Sequence, residues 1–181
     1  MHPRTDELLR HLDAHRVALR EAVASVPASL RETSPGPDQW SCAEVLEHLT
    51  QVEEQVTRYL SAKLSEASAA GQLPPQPETS PIAGSLDHDV VIDRRRRVTA
   101  GERVLPRGEM DAAAALAALE SARTQLRDVI TSVDGLALDT FTLPHRVFGV
   151  LNGYQWFLFL GSHEARHARQ IQEIGASLAP R

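Results

Sequence analysis

The period of the apolar residues constrains this chain more than anything else in it. Four stretches repeat leucine, valine, isoleucine or alanine at the three- to four-residue spacing of one helical face. None of the chain shows a convincing strand-like alternation. The first helix is expected over about 5–26, where Leu8, Leu12, His15, Leu19, Ala22, Val23 and Val26 share a stripe and Pro27 ends it. The second, about 41–70, opens on a capping-box pattern, Ser41 with Glu44. It carries Val45, Leu49, Val52, Val56, Leu60 and Leu64, and closes before Gly71, Pro74 and Pro75. The third, about 111–133, starts at an Asp111 cap and lines up Leu119, Ala122, Leu126, Ile130 and Val133 before Gly135. The fourth, about 153–174, follows an Asn152 cap and ends at Gly175.

Two connections are ordinary and the third is not. Residues 71–107 are proline-rich and long enough to travel the full length of a helical bundle. Helices 2 and 3 are therefore expected to run parallel and the other neighbours antiparallel. The fold class is all-α, a four-helix bundle with one long crossover between helices 2 and 3, in a single domain spanning residues 1–181.

Composition excludes several classes of partner. A net charge of −5 argues against a general nucleic-acid binder. No run approaches the roughly 18 uninterrupted apolar residues of a membrane span. The single cysteine, Cys42, forms no internal disulfide and fits a reducing compartment, so a cytoplasmic setting is expected. Cys42 sits in the first turn of helix 2, where the helix dipole acts to lower a thiol pKa. It lies on the wrong helical face to serve as a nucleophile beside His48.

Chemistry concentrates in three histidines. His163 and His167 are one turn apart on a single face of helix 4, and His48 lies early in helix 2. With helices 2 and 4 antiparallel, His48, His167 and His163 stand about 10, 12 and 18 Å from the same end of the bundle. They can therefore meet as three protein ligands with coordination positions left open. The pair alone is weak, since a second pair at the same spacing, His11 and His15, occurs in the chain. Of these, His15 is expected to face the bundle and His11 the solvent, neither binding metal. His88 and His145 fall in connections and are left unassigned.

His163-Glu164-Ala165-Arg166-His167 also matches the His-Glu-x-x-His pattern of zinc proteases, with Glu164 as general base. Two features oppose proteolysis. Gln170 and Glu173 stand where a metzincin has glycine and histidine, and the chain ends soon after His167. Glu164 is accordingly read as solvent-facing. The run Arg94 to Arg97 reads as a solvated loop, with an anion-gripping loop as the alternative. Trp156 and Phe159 lie on the His163 face, as core or as the apolar wall of a pocket.

Trp40-Ser41 leading into Glu44-x-x-Glu47-His48-Leu49, a long crossover, then Phe148-Gly149 and Gln155-Trp156 ahead of His163-x-x-Arg166-His167-x-x-Gln170-Ile171 together resemble the DinB-like superfamily. The resemblance runs from about Leu8 to Ile174. It implies a four-helix bundle with one long crossover, often a homodimer, and a divalent metal held by three histidines, here His48, His163 and His167. It also implies reaction types: thiol S-transfer with bacillithiol or a similar low-molecular-weight thiol, mycothiol-dependent isomerisation, or hydrolysis. The expected protein is thus a metal-dependent thiol S-transferase or hydrolase acting on a small molecule. The rival reading is a non-catalytic metal or small-molecule binding protein of stress response. Zn, Ni, Fe and Mn all suit such a site. No residue is assigned a catalytic or substrate-binding role. A homodimer is expected on a second ground as well. Tyr154, Trp156, Phe157, Leu158, Phe159 and Leu160 offer more apolar surface than one bundle face buries, and the excess must pack on a second subunit or under the crossover.

Overall fold

The structure, a computed structural model, describes residues 1–179. Residues 180 and 181 of the expected domain lie outside the described residues. The architecture is predominantly α-helical, as the apolar periodicity predicts. Four long helices, α1 (Pro3–Ser25), α2 (Cys42–Ala69), α4 (Ala112–Ser132) and α5 (Gly153–Leu178), form within a few residues of their expected bounds. The start signals work as chemistry. Ser41 Oγ accepts from Glu44 N while the Glu44 carboxylate accepts from Ser41 N, and Asn152 and Gln155 form a second reciprocal cap. Asp111 accepts from Ala114 N.

Three features depart from the sequence expectation. A short helix, α3 (His88–Ile92), sits inside the long connection, capped by Asp87. A two-stranded antiparallel hairpin, β1 (Thr142–His145) with β2 (Gly149–Asn152), precedes α5. Its strands are too short to show an alternating pattern, and Gly149 supplies the positive φ of 75° that the tight connection needs. The last helix runs through Gly175 rather than stopping there. A Cβ on Gly175 would sit 3.1 Å from Val26 Cγ2, so this glycine admits close helix approach instead of ending the helix.

Helix directions follow from specific contacts. Thr50 Oγ1 donates to Ala115 O near the start of α2 and of α4, so these two run parallel. His11 and Arg16 of α1 meet Leu158 and Glu164 of α5 in ascending order, so that pair is parallel too. Tyr59 meets Trp156 while His48 meets His167, which sets α2 antiparallel to α5.

The core has two apolar halves. One gathers Leu8, Leu12, Leu60, Leu126, Ile130 and Phe157; the other gathers Leu19, Val45, Leu46, Leu119 and Ile171. Between them lies a buried layer of four charges, one from each long helix: Arg16, Glu53, Arg123 and Glu164. Arg123 Nε donates to Glu53 Oε1 (2.8 Å) and its Nη2 to Glu164 Oε2 (2.9 Å), while Arg16 pairs with both carboxylates. The side chains of Tyr154, Trp156, Phe157, Leu158, Phe159 and Leu160 are buried within the one chain. None of the described helices is long and apolar enough to cross a membrane.

Candidate metal centre

The capping box starts α2 so that its second turn points His48 at α5, and the i, i+4 spacing places His163 and His167 opposite. One ligand-capable nitrogen from each of the three rings lies within 4.8 Å of the other two. His163 Nε2 and His167 Nε2 are 3.2 Å apart. Two bonds of about 2.05 Å meeting at a tetrahedral angle give roughly 3.3 Å, so the spacing fits a shared cation.

The proton positions fit as well. His48 Nδ1–H donates to the carbonyl of Val104 at 2.6 Å, leaving its Nε2 lone pair free. Arg94 Nη1 donates to Gln170 Oε1 (3.1 Å), which makes that oxygen an acceptor; His167 Nδ1–H then donates to it at 2.8 Å. His167 is therefore also left with a free Nε2. Acceptors behind ligating imidazoles of this kind fix ring orientation and raise ligand basicity. Burial favours the neutral form of all three rings. His163 and His167 lie well below the ordinary histidine pKa, through desolvation and then their histidine neighbours. Desolvation likewise lowers His48, against the opposing effect of its hydrogen bond to the Val104 carbonyl.

The long connection builds the rest of the site. Glu47, 1% exposed, accepts from Arg107 N and Gly108 N at 2.9 Å each and so pins the connection beside His48. Arg166, between the two α5 histidines, donates to the carbonyls of Val91, Asp93 and Arg96. Trp40 packs with its ring centroid 4.9 Å from that of His48, and Phe159 5.3 Å from that of His163, so apolar side chains flank the cluster.

Several expectations need correcting. Glu164 does not face solvent: it is 1% exposed and faces Arg16 and Arg123, away from the histidine cluster. Burial pushes its carboxyl above the usual range, with Arg123 and Arg16 opposing the rise. Burial also opposes charge on Arg123, but Glu164 and Glu53 outweigh it and raise its pKa. Glu164 is thus not placed to act as a zinc-protease base beside the three histidines. The signal for this layer is present in the sequence: Arg16, Glu53, Arg123 and Glu164 each interrupt an apolar stripe three or four residues from a core leucine. His11 is half-buried, its Nε2 donating to Leu158 O at 3.0 Å. It packs with His15 and with His88, whose Nδ1 bonds Ser162 Oγ. The Cys42 thiol is fully buried, and desolvation raises its pKa to about 11, overriding any lowering by the helix end. In the arginine run, Arg94 pairs with Glu173 and Arg95 with Asp93, while Arg96 and Arg97 are solvated.

The chain is 28% identical over 141 residues to the uncharacterized protein YuaE of Bacillus subtilis (strain 168), covering 77% of this chain and 80% of that one. No solved structure matches it. The profile of the DinB superfamily matches residues 11–171, nearly the whole chain and all three clustered histidines, and the chain belongs to that superfamily.

Proposed function

We propose that this protein is a divalent-metal-dependent enzyme in which His48, His163 and His167 are the metal ligands, and that it performs thiol S-transfer or hydrolysis on a small molecule. The observation that carries the reading is the convergence of three neutral imidazoles whose ligand atoms lie within 4.8 Å. Members of the superfamily are generally metal-binding, which supports it. A bound divalent ion supplies a Lewis acid that lowers the pKa of a coordinated thiol or water toward neutrality. The chain's own residues do the rest. The Val104 carbonyl and Gln170 hold the two ligand tautomers, and Glu47 anchors the connection that carries Val104. Trp40 and Phe159 restrict water around the rings. The all-nitrogen donor set suits Zn, Ni, Fe or Mn.

The same proposal includes a single domain of four bundled helices in which residues 71–107 act as the crossover, a cytoplasmic setting, a low-molecular-weight thiol as co-substrate and a homodimer. Because the aromatic run of α5 is covered within the chain, a dimer must use another face.

One observation favours a non-catalytic binding protein. Among the described residues no carboxylate oxygen joins the three histidines within that 4.8 Å spacing. Reconstitution with each of the four metals, followed by turnover assays of electrophiles with several low-molecular-weight thiols, separates the readings. Metal-dependent conjugation or hydrolysis that vanishes in His48→Ala supports the enzyme. Stoichiometric metal with no turnover supports the binding protein.

A further inference from the structure

A fourth histidine lies on the same side of α5 and is protonated the opposite way. His145 ends β1, and its Nδ1 accepts from the backbone amides of Val147 (3.1 Å) and Phe148 (3.2 Å). Asparagine or aspartate usually caps a tight turn in this manner. Histidine does the same with one nitrogen and keeps a second. With Nδ1 accepting, the proton of the neutral ring must sit on Nε2, and that donor has no acceptor among the described residues. His48 and His167 point bare Nε2 lone pairs at their cluster, so the two kinds of site are chemically complementary.

The surroundings of the ring are aromatic. The His145 ring is half-buried and packs 4.4 Å from Phe159, 4.8 Å from Trp156 and 5.1 Å from Phe148. Phe159 in turn lies 5.3 Å from His163. Phe159 therefore packs against both the His145 ring and the ring of a proposed metal ligand. Trp156 spends its own indole N–H on the Leu143 carbonyl (3.4 Å), so His145 is the polar point in an otherwise apolar wall. Arg146 fixes the hairpin against the long connection by donating to Thr99 O at 2.6 Å.

We propose that His145 is a substrate-binding residue whose Nε2–H donates to the carbonyl oxygen of a flat, largely apolar substrate lying along Phe159 toward the histidine cluster. The proposal rests on the metal-enzyme reading for what the substrate reaches, but the wall itself is built from the hairpin and α5 alone. It would narrow the substrate class to carbonyl-bearing molecules with an apolar face.

The test uses two probes of the same outline, acetophenone and α-methylstyrene, of which only the first carries an acceptor. Each is titrated into zinc-reconstituted and metal-free protein labelled with ¹⁵N at histidine, as wild type and as His145→Asn. Asparagine keeps an acceptor for the turn amides, and the Val147 and Phe148 amide signals report whether the hairpin survives. Acetophenone is expected to move the His145 Nε2 signal of the wild type. The preference for acetophenone over α-methylstyrene is expected to fall about fivefold to tenfold in His145→Asn, the value of one neutral hydrogen bond. A preference that stays within about twofold of wild type, or an unmoved Nε2 signal in the wild-type protein, overturns the proposal. Failure of the protein to take up zinc would instead overturn the metal reading, and the His145 result can still be read on the metal-free protein.

Discussion

His48, His163 and His167 act as one unit if they share an ion, so the cost of losing them cannot add. His48→Ala should abolish metal binding nearly as fully as His163→Ala combined with His167→Ala, while circular dichroism shows the helices intact. His11→Ala should leave metal content unchanged, because that ring is committed to the Leu158 carbonyl. Gln170 touches the site only through His167, and acceptors in that position are worth about 10- to 100-fold in metal affinity. Gln170→Ala should therefore weaken metal binding by that factor in a competition titration, and unchanged affinity would contradict the role. Glu164 belongs to stability instead. Glu164→Gln leaves the buried guanidiniums of Arg16 and Arg123 with Glu53 as their one buried carboxylate, Glu120 reaching Arg16 from the half-exposed side, and should cost about 3–5 kcal/mol in denaturant unfolding, with metal affinity unaffected. The histidine triad was legible from spacing and helix height. The Glu164 environment was not, because reading it as part of a His-Glu-x-x-His motif hides that it points toward α1 and α4.

At the scale of elements, legibility tracked local chemistry. Ser41, Asp111 and Asn152 marked helix starts because each side chain closes a bond within its own first turn. Gly175 misled because its use is decided by Val26, far away in sequence. The hairpin and α3 were invisible because four- and five-residue elements carry too little periodicity. The path of residues 93–108 was equally unreadable, yet it supplies the Val104 carbonyl to one proposed ligand and Arg94 to the acceptor of another. Its near end hangs on Glu47. Glu47→Ala removes the acceptor for Arg107 N and Gly108 N and should free this segment. Limited proteolysis should then cut within 97–107 faster than in wild type, with lowered metal affinity and unchanged helix content. Protection equal to wild type would show that other contacts suffice to hold the segment.

On the scale of the whole molecule, acid should destabilise the metal-free protein through its histidines. Desolvation lowers His15 and His145 to about 4, and His11, His48, His163 and His167 are lowered as well. In the unfolded chain these groups bind protons near 6.5, so between that pH and the folded values the unfolded state holds more protons. Stability is then fully present above about pH 6.5 and declines as pH falls toward 4. Thermal melting of metal-free protein should show a midpoint lower at pH 5 than at pH 7.5, and a flat profile would mean the rings are solvated. Bound metal should steepen the fall, because protons compete for the same nitrogens. The central claim is that the fold assembles a three-histidine metal site, and elemental analysis of protein purified without chelator tests it most directly. A metal-binding triad predicts close to one equivalent of a divalent metal per chain, lost in His48→Ala. Well under half an equivalent, with no uptake on reconstitution with Zn, Ni, Fe or Mn, would contradict it.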